Sequence, residues 1–154
     1  MLSRKNRGFT LVEILIVVII LGILAAIVIP QFTNASQEAR QSSLVSQLQT
    51  LRSQIELYKL QHGDTLPNLI AGGAAQFGQA SGWDQLTKVT TYNGTNCGPY
   101  MQAVPVNPLT NSSVVVDGNE TSTGVVGGFI YDYSTSTPPT GRIWGVDAAG
   151  NPVH

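Results

Sequence analysis

The strongest constraint in this 154-residue chain is a run of twenty-three residues from Gly8 to Pro30, GFTLVEILIVVIILGILAAIVIP. It follows the basic residues Arg4, Lys5 and Arg7 and contains one charged side chain, Glu13. A helix rises about 1.5 Å per residue, so Phe9 to Ile29 is long enough to cross the roughly 30 Å hydrocarbon core of a bilayer. The run therefore predicts a membrane span. Basic residues ahead of it place the leader on the cytoplasmic side and send the chain after Pro30 across the membrane. The apolar region is longer than that of an ordinary signal peptide and continues past Leu24-Ala25-Ala26, which argues against cleavage behind it. Glu13 lies one turn inside the run, where a carboxylate is costly unless it is paired or reaches the interface. Two readings are open from position alone: a glutamate snorkelling to the headgroups, or one kept for a specific partner.

Much of the 42% hydrophobic content lies in this run. The remainder, rich in Gly, Ser, Thr, Asn and Gln, can build a small loop-rich head but not a large enzyme core. Without the leader, five basic side chains (Arg40, Arg52, Lys59, Lys88, Arg142) face nine acidic ones, a net charge of −4. A weakly acidic product without a basic stripe offers no electrostatic support for direct nucleic-acid binding. Cys97 is the single cysteine, which excludes an intramolecular disulfide and reads as a small, half-buried residue.

Beyond Pro30 the pattern stays helical. Leu44, Leu48, Leu51, Ile55 and Tyr58 recur at spacings of four and three and make one apolar stripe. Glu56 and Lys59 can pair at i,i+3, and Gly63 is a helix stop. The pattern predicts a helix from about Thr10 to Gln61, broken or bent near Pro30, where a backbone donor is lost and the carbonyl of Ala26 is crowded. Asp64 to Asn111 is punctuated by Pro67, Gly72, Gly73, Gly78, Gly82, Gly94, Gly98, Pro99, Pro105 and Pro108 and reads as loop, with a helical turn at Gln85 to Val89 and with Trp83, Leu86, Tyr92, Tyr100 and Met101 as anchors. Ser113–Val116, Gly128–Tyr133 and Arg142–Val146 read as strands, with Asp117-Gly118-Asn119 as a hairpin turn. The expected fold class is α+β: a long N-terminal helix packed through its second half on a small C-terminal antiparallel sheet. The expected divisions are 1–8 (leader), 9–30 (transmembrane or filament-core helix), 31–62 (amphipathic second half) and 63–154 (head, with loops and about three strands).

The residues Gly8-Phe9-Thr10-Leu11-Val12-Glu13, the apolar run to Ile29 and Pro30 closely resemble the class III signal and N-terminal helix of type IV pilins and type II secretion pseudopilins. The resemblance is dense from Lys5 to Gln37 and fades to architecture afterwards, where the outline is similar to that of the major pseudopilin. It implies that a prepilin peptidase cuts between Gly8 and Phe9 and N-methylates Phe9. It further implies that Glu13 is matched to the N-terminal amine of an adjacent subunit during assembly, where a neighbouring ammonium turns the cost of a buried carboxylate into a register signal. Pairing within one subunit before assembly stays open as well. The implied partners are the peptidase, identical and related pilin-like subunits in a filament, the inner-membrane assembly machinery, and membrane lipid before assembly. The implied location is the bacterial inner membrane, single-pass with the head outside (periplasmic in a Gram-negative cell), then the filament.

Pseudopilins of this type tend to carry Asp-Pro and oxygen ligands for calcium where this chain has Asn107-Pro108. The lost charge weakens the case for a metal, although Asp117, Asn119 and Glu120 could supply oxygens. No cofactor is otherwise expected. His62 and His154 are too far apart to form a local ligand pair, and no GxSxG, GxGxxG, HExxH or P-loop string is present. A non-enzymatic filament subunit supporting protein export is thus the expectation. The lone Cys97 favours a secretion pseudopilin over a type IV pilin for adhesion, motility or DNA uptake, since many such pilins close a C-terminal disulfide. The reading from another class is a binding domain that borrows a membrane anchor.

Overall fold

The computed structural model describes residues 8–70, 72–73, 76 and 82–154. The leader residues Arg4, Lys5 and Arg7, and Gly78 of the loop region, lie outside the described residues. The chain forms two units, one ending at Glu38 and one from Ala39 to His154. A single helix, α1 (Leu11–Gln61), contributes to both.

In the first unit every described residue is exposed, apolar ones included. This part of α1 is long and apolar enough to cross a membrane. It runs through Pro30 without a break, so the interruption expected there is absent. One missing N–H removes one rung of the ladder while adjacent turns keep theirs, and the Thr33 hydroxyl donates to the Pro30 carbonyl at 2.8 Å.

In the second unit α1 buries Leu44, Leu48, Leu51, Ile55 and Tyr58, the stripe that the spacing predicts. Glu56 and Lys59 pair at 3.3 Å. The helix ends where Gly63 (φ 61°) and Asp64 (φ 65°) turn left-handed, with the Asp64 amide donating to the Lys59 carbonyl at 2.9 Å. A Cβ on Gly63 would collide with the Tyr92 hydroxyl, so close approach as well as φ requires glycine here.

A short helix α2 (Asp84–Thr87) answers the helical turn expected nearby, and a hairpin of β1 (Thr90–Tyr92) and β2 (Thr95–Cys97) follows. Asn93 and Gly94 turn the hairpin with positive φ. The main sheet has four strands in the order β3 (Val115–Asp117), β4 (Phe129–Tyr131), β5 (Ile143–Val146) and β6 (Pro152–Val153). The second and third are the core of the strands read from sequence.

The sheet departs from the expected antiparallel arrangement, because β3 and β4 run parallel while the other pairs are antiparallel. Asp117-Gly118-Asn119 is therefore not a hairpin turn. Parallel strands cannot be joined by a tight turn, so residues 118–128 form a crossover. Its first bend is held by Asn119, whose amide donates to Ser122 Oγ at 3.0 Å.

One sheet face carries Val115, Phe129, Tyr131 and Ile143 into a common core with the α1 stripe, Leu69 and Leu86, and with Trp83, Tyr100 and Met101 at its margin. A Cβ on Gly145 would come within 2.6 Å of Leu44, so β5 approaches α1 as closely as glycine permits. Arg52 of α1 also donates through Nε and Nη2 to the Ile143 carbonyl. The opposite face carries Ile130, Trp144 and Val146, covered by Val125 of the crossover.

Candidate functional site at the start of the apolar helix

Gly8, Phe9 and Thr10 precede α1 without regular secondary structure, so the Gly8–Phe9 peptide lies outside the helical ladder. Phe9 is 79% exposed, and space is open around the Gly8 Cα. Where the helix starts, Thr10 and Glu13 satisfy each other. The Thr10 amide and hydroxyl donate to Glu13 Oε2 at 2.8 and 2.7 Å, and the Glu13 amide donates to Thr10 Oγ1 at 3.3 Å. This is the reciprocal capping of a Thr-x-x-Glu sequence, and it also sets a carboxylate in the first turn, where the helix dipole favours it.

The sequence reading singled out Gly8, Phe9 and Glu13; Gly8 and Phe9 lie just ahead of α1 and Glu13 in its first turn. Thr10 was missed. The signal was present as Thr10-x-x-Glu13 ahead of an apolar run, the pattern of a capping box. Glu13 thus has a hydrogen-bond partner inside the single chain, Thr10.

The three oxygen donors named for calcium are engaged separately. Asp117 Oδ1 accepts from the amides of Tyr133 and Ser134, both at 3.1 Å, and Oδ2 from the Ser134 hydroxyl. Burial pushes its carboxyl up, but these bonds outweigh burial and hold it below the usual range. Asn119 Oδ1 accepts from the amide and hydroxyl of Thr121, and Glu120 lies 3.9 Å from Arg142. Among the described residues no group of three or more His, Cys, Asp or Glu is placed to share an ion.

Asn107 has a different task from the one that its comparison with Asp-Pro suggested. It is fully buried, its Nδ2 donates to the carbonyls of Gly128 and Val146 at 2.6 and 2.8 Å, and its Oδ1 accepts from the Leu109 amide. A carboxylate could not donate to either carbonyl. The amide is required as a clamp on the ends of β4 and β5. Asp132, 1% exposed, clamps the following loop in the opposite sense, accepting from the Ser136 and Thr140 amides and the Thr140 hydroxyl. Burial raises its carboxyl, and these bonds more than reverse the effect. Cys97 is a free, half-buried thiol in β2.

Residues 3–29 match the family model of the prokaryotic N-terminal methylation motif. Among curated proteins the chain is similar to the type II secretion system core protein G of Dickeya chrysanthemi, 42% identical over 59 residues that cover 38% of this chain and 39% of the relative. It is also similar to that of Escherichia coli, 38% identical over 58 residues covering 38% and 40%. The alignments with the Dickeya and Aeromonas hydrophila proteins thus span about two fifths of those relatives. Similarity to the Pseudomonas aeruginosa core protein G extends further, at 32% identity over 115 residues, covering 72% of this chain and 73% of the relative. No solved structure matches. With the methylation motif at its start and this similarity carried through most of its length, the chain belongs to the type II secretion system core protein G family.

Proposed function

We propose that this protein is a non-enzymatic structural subunit of a type II secretion pseudopilus. A prepilin peptidase removes the leader after Gly8 and methylates the new amine of Phe9. The apolar half of α1 then anchors the chain in the bacterial inner membrane, with the head outside, until the subunit is taken into a filament with its own kind. The observation that carries this reading is the first unit: a helical surface whose described apolar residues are all exposed, starting at a methylation motif. Lipid and the same helix of other subunits are two environments that would cover it in turn.

Within that reading Thr10 satisfies Glu13 while the subunit is single, and the methylated ammonium of a neighbouring Phe9 takes over on assembly. The exchange replaces hydrogen bonds from a hydroxyl and an amide by a charge-assisted one in a medium of low dielectric. Glu13→Leu is therefore expected to be inserted and cleaved normally, seen as the same gel shift on adding prepilin peptidase, yet to be lost from the sheared filament fraction. Normal filaments from this variant would refute the assembly role. Unchanged mobility of the unsubstituted protein with peptidase would instead favour a plain anchor carrying a binding domain.

A further inference from the structure

Between Glu13 and Arg52 the chain carries two charged side chains, Glu38 and Arg40, and both are exposed on α1. Among the described residues neither side chain has a hydrogen bond or an ion pair, whereas every other side-chain carboxylate meets a donor and every other basic side chain meets an acceptor. They cannot serve each other. Residues two apart on an α-helix point about 200° apart around its axis, so the two opposite charges leave α1 on opposite sides. Both are satisfied when each helix has a like helix on either side, one receiving its carboxylate and the other its guanidinium. Such a contact joins different patches of the same chain and repeats without closing, which builds a filament rather than a symmetric dimer.

We propose that Glu38 of one copy pairs with Arg40 of the next along the filament, a second ionic contact in addition to that of Glu13. The pairing rests on the assembly reading above, in which the Phe9 amine of one copy meets Glu13 of its neighbour. That match displaces the first copy by about four residues, or roughly 6 Å along the helix. Copies related by one helical operation have the same rise at every residue. Glu38 of the displaced copy is therefore level with Ser42 of its neighbour and about 3 Å along the axis from Arg40. The reverse match, Arg40 of the displaced copy to Glu38 of the neighbour, is about 9 Å out of step. Gln37, Gln41, Ser42 and Ser43 around the contact are uncharged, so no other charge on this stretch of α1 competes for either member. The planar guanidinium can donate two N–H groups to the one carboxylate. A copy slipped onward by one turn would lose both ionic contacts, so the second reinforces the register that the first sets.

The test uses the full chain in cells that contain prepilin peptidase and the assembly machinery, with leader cleavage as the control for insertion. Glu38→Arg and Arg40→Glu should each lower the sheared filament fraction by about threefold or more, the scale of one ion pair turned into a repulsion. The double exchange Glu38→Arg/Arg40→Glu should return it to within about twofold of the unsubstituted protein. Single changes without effect, or a double exchange as poor as the worse single one, would overturn the proposal. A second measurement does not depend on reversing charge. In a Cys97→Ser background, filaments carrying Glu38→Cys and Arg40→Cys together should give a ladder of trimers and longer products with a short bismaleimide, because each helix offers one thiol to either neighbour. Either cysteine alone should give nothing beyond the dimer, and a doubly substituted chain that also stops there would overturn the pairing. Filaments that lose Glu13→Leu but tolerate both single exchanges sink this contact alone. An unsubstituted chain that forms no filaments sinks the assembly reading and this contact with it.

Discussion

The two parts of α1 obey the same helical geometry and have opposite fates. Up to Ser43 no described residue of the helix is buried, although Ile, Leu and Val dominate the sequence as far as Ile29. From Leu44 the helix is much more polar, yet Leu44, Leu48, Leu51, Ile55 and Tyr58 are almost wholly shielded. Apolar content therefore does not decide burial within the chain. What decides it is whether apolar residues fall on one face, where a sheet can cover them, or all round, where cover must come from lipid or from other chains. The polar devices differ in the same way. Asn107 and Asp132 are closed within the head, whereas the carboxylate of Glu13 is exposed and shared with one threonine.

Paired truncations would break this comparison most directly. Leu48→Ala removes a fully buried side chain and should lower the unfolding free energy of the head by about 2–5 kcal/mol, read by urea titration in micelles. A loss near zero would mean that the stripe is not a load of the core. Asn107→Asp sharpens the contrast between polar devices. It leaves the Gly128 and Val146 carbonyls without donors and sets a carboxylate against them, which should cost about 2–4 kcal/mol in the same titration. Retained stability would show that the amide clamp is dispensable. Ile16→Ala is the smallest expected effect: the head should unfold within about 0.5 kcal/mol of the unsubstituted protein, while partition of the chain into membranes falls. A head destabilised as much as by Leu48→Ala would abolish the distinction between the two parts.

The helix was legible because its signals are local. A period of three and four over Leu44–Tyr58, a Gly63 stop and an uninterrupted apolar run each fix nearby backbone through neighbouring residues. The strands Phe129–Tyr131 and Ile143–Val146 were legible for similar reasons, as β-branched and aromatic clusters between turn residues. Strand direction was not. Asp117-Gly118-Asn119 has the composition of a tight hairpin, but Val115–Asp117 lies parallel to Phe129–Tyr131, a choice made by pairing across the crossover rather than by the turn residues. At the candidate site, Gly8, Phe9 and Glu13 stood out by position and charge, and the capping role of Thr10 was written in the same six residues without being read.

Asn107 and His62 show the other limit. Nothing adjacent to Asn107 in sequence reveals that its amide reaches residues 21 and 39 positions away. Nor does the surrounding sequence reveal that His62 meets a hydroxyl 28 positions on. By itself, the sequence determined that this protein has a long helix apolar on all faces, a striped continuation and a small polar head, because those properties depend on composition and on periods of a few residues. Tertiary structure alone decided which strand pairs with which, which buried amide closes the sheet and which hydroxyl answers the histidine. Hydrogen bonds act over about 3 Å, and only the folded chain brings such distant residues within that reach.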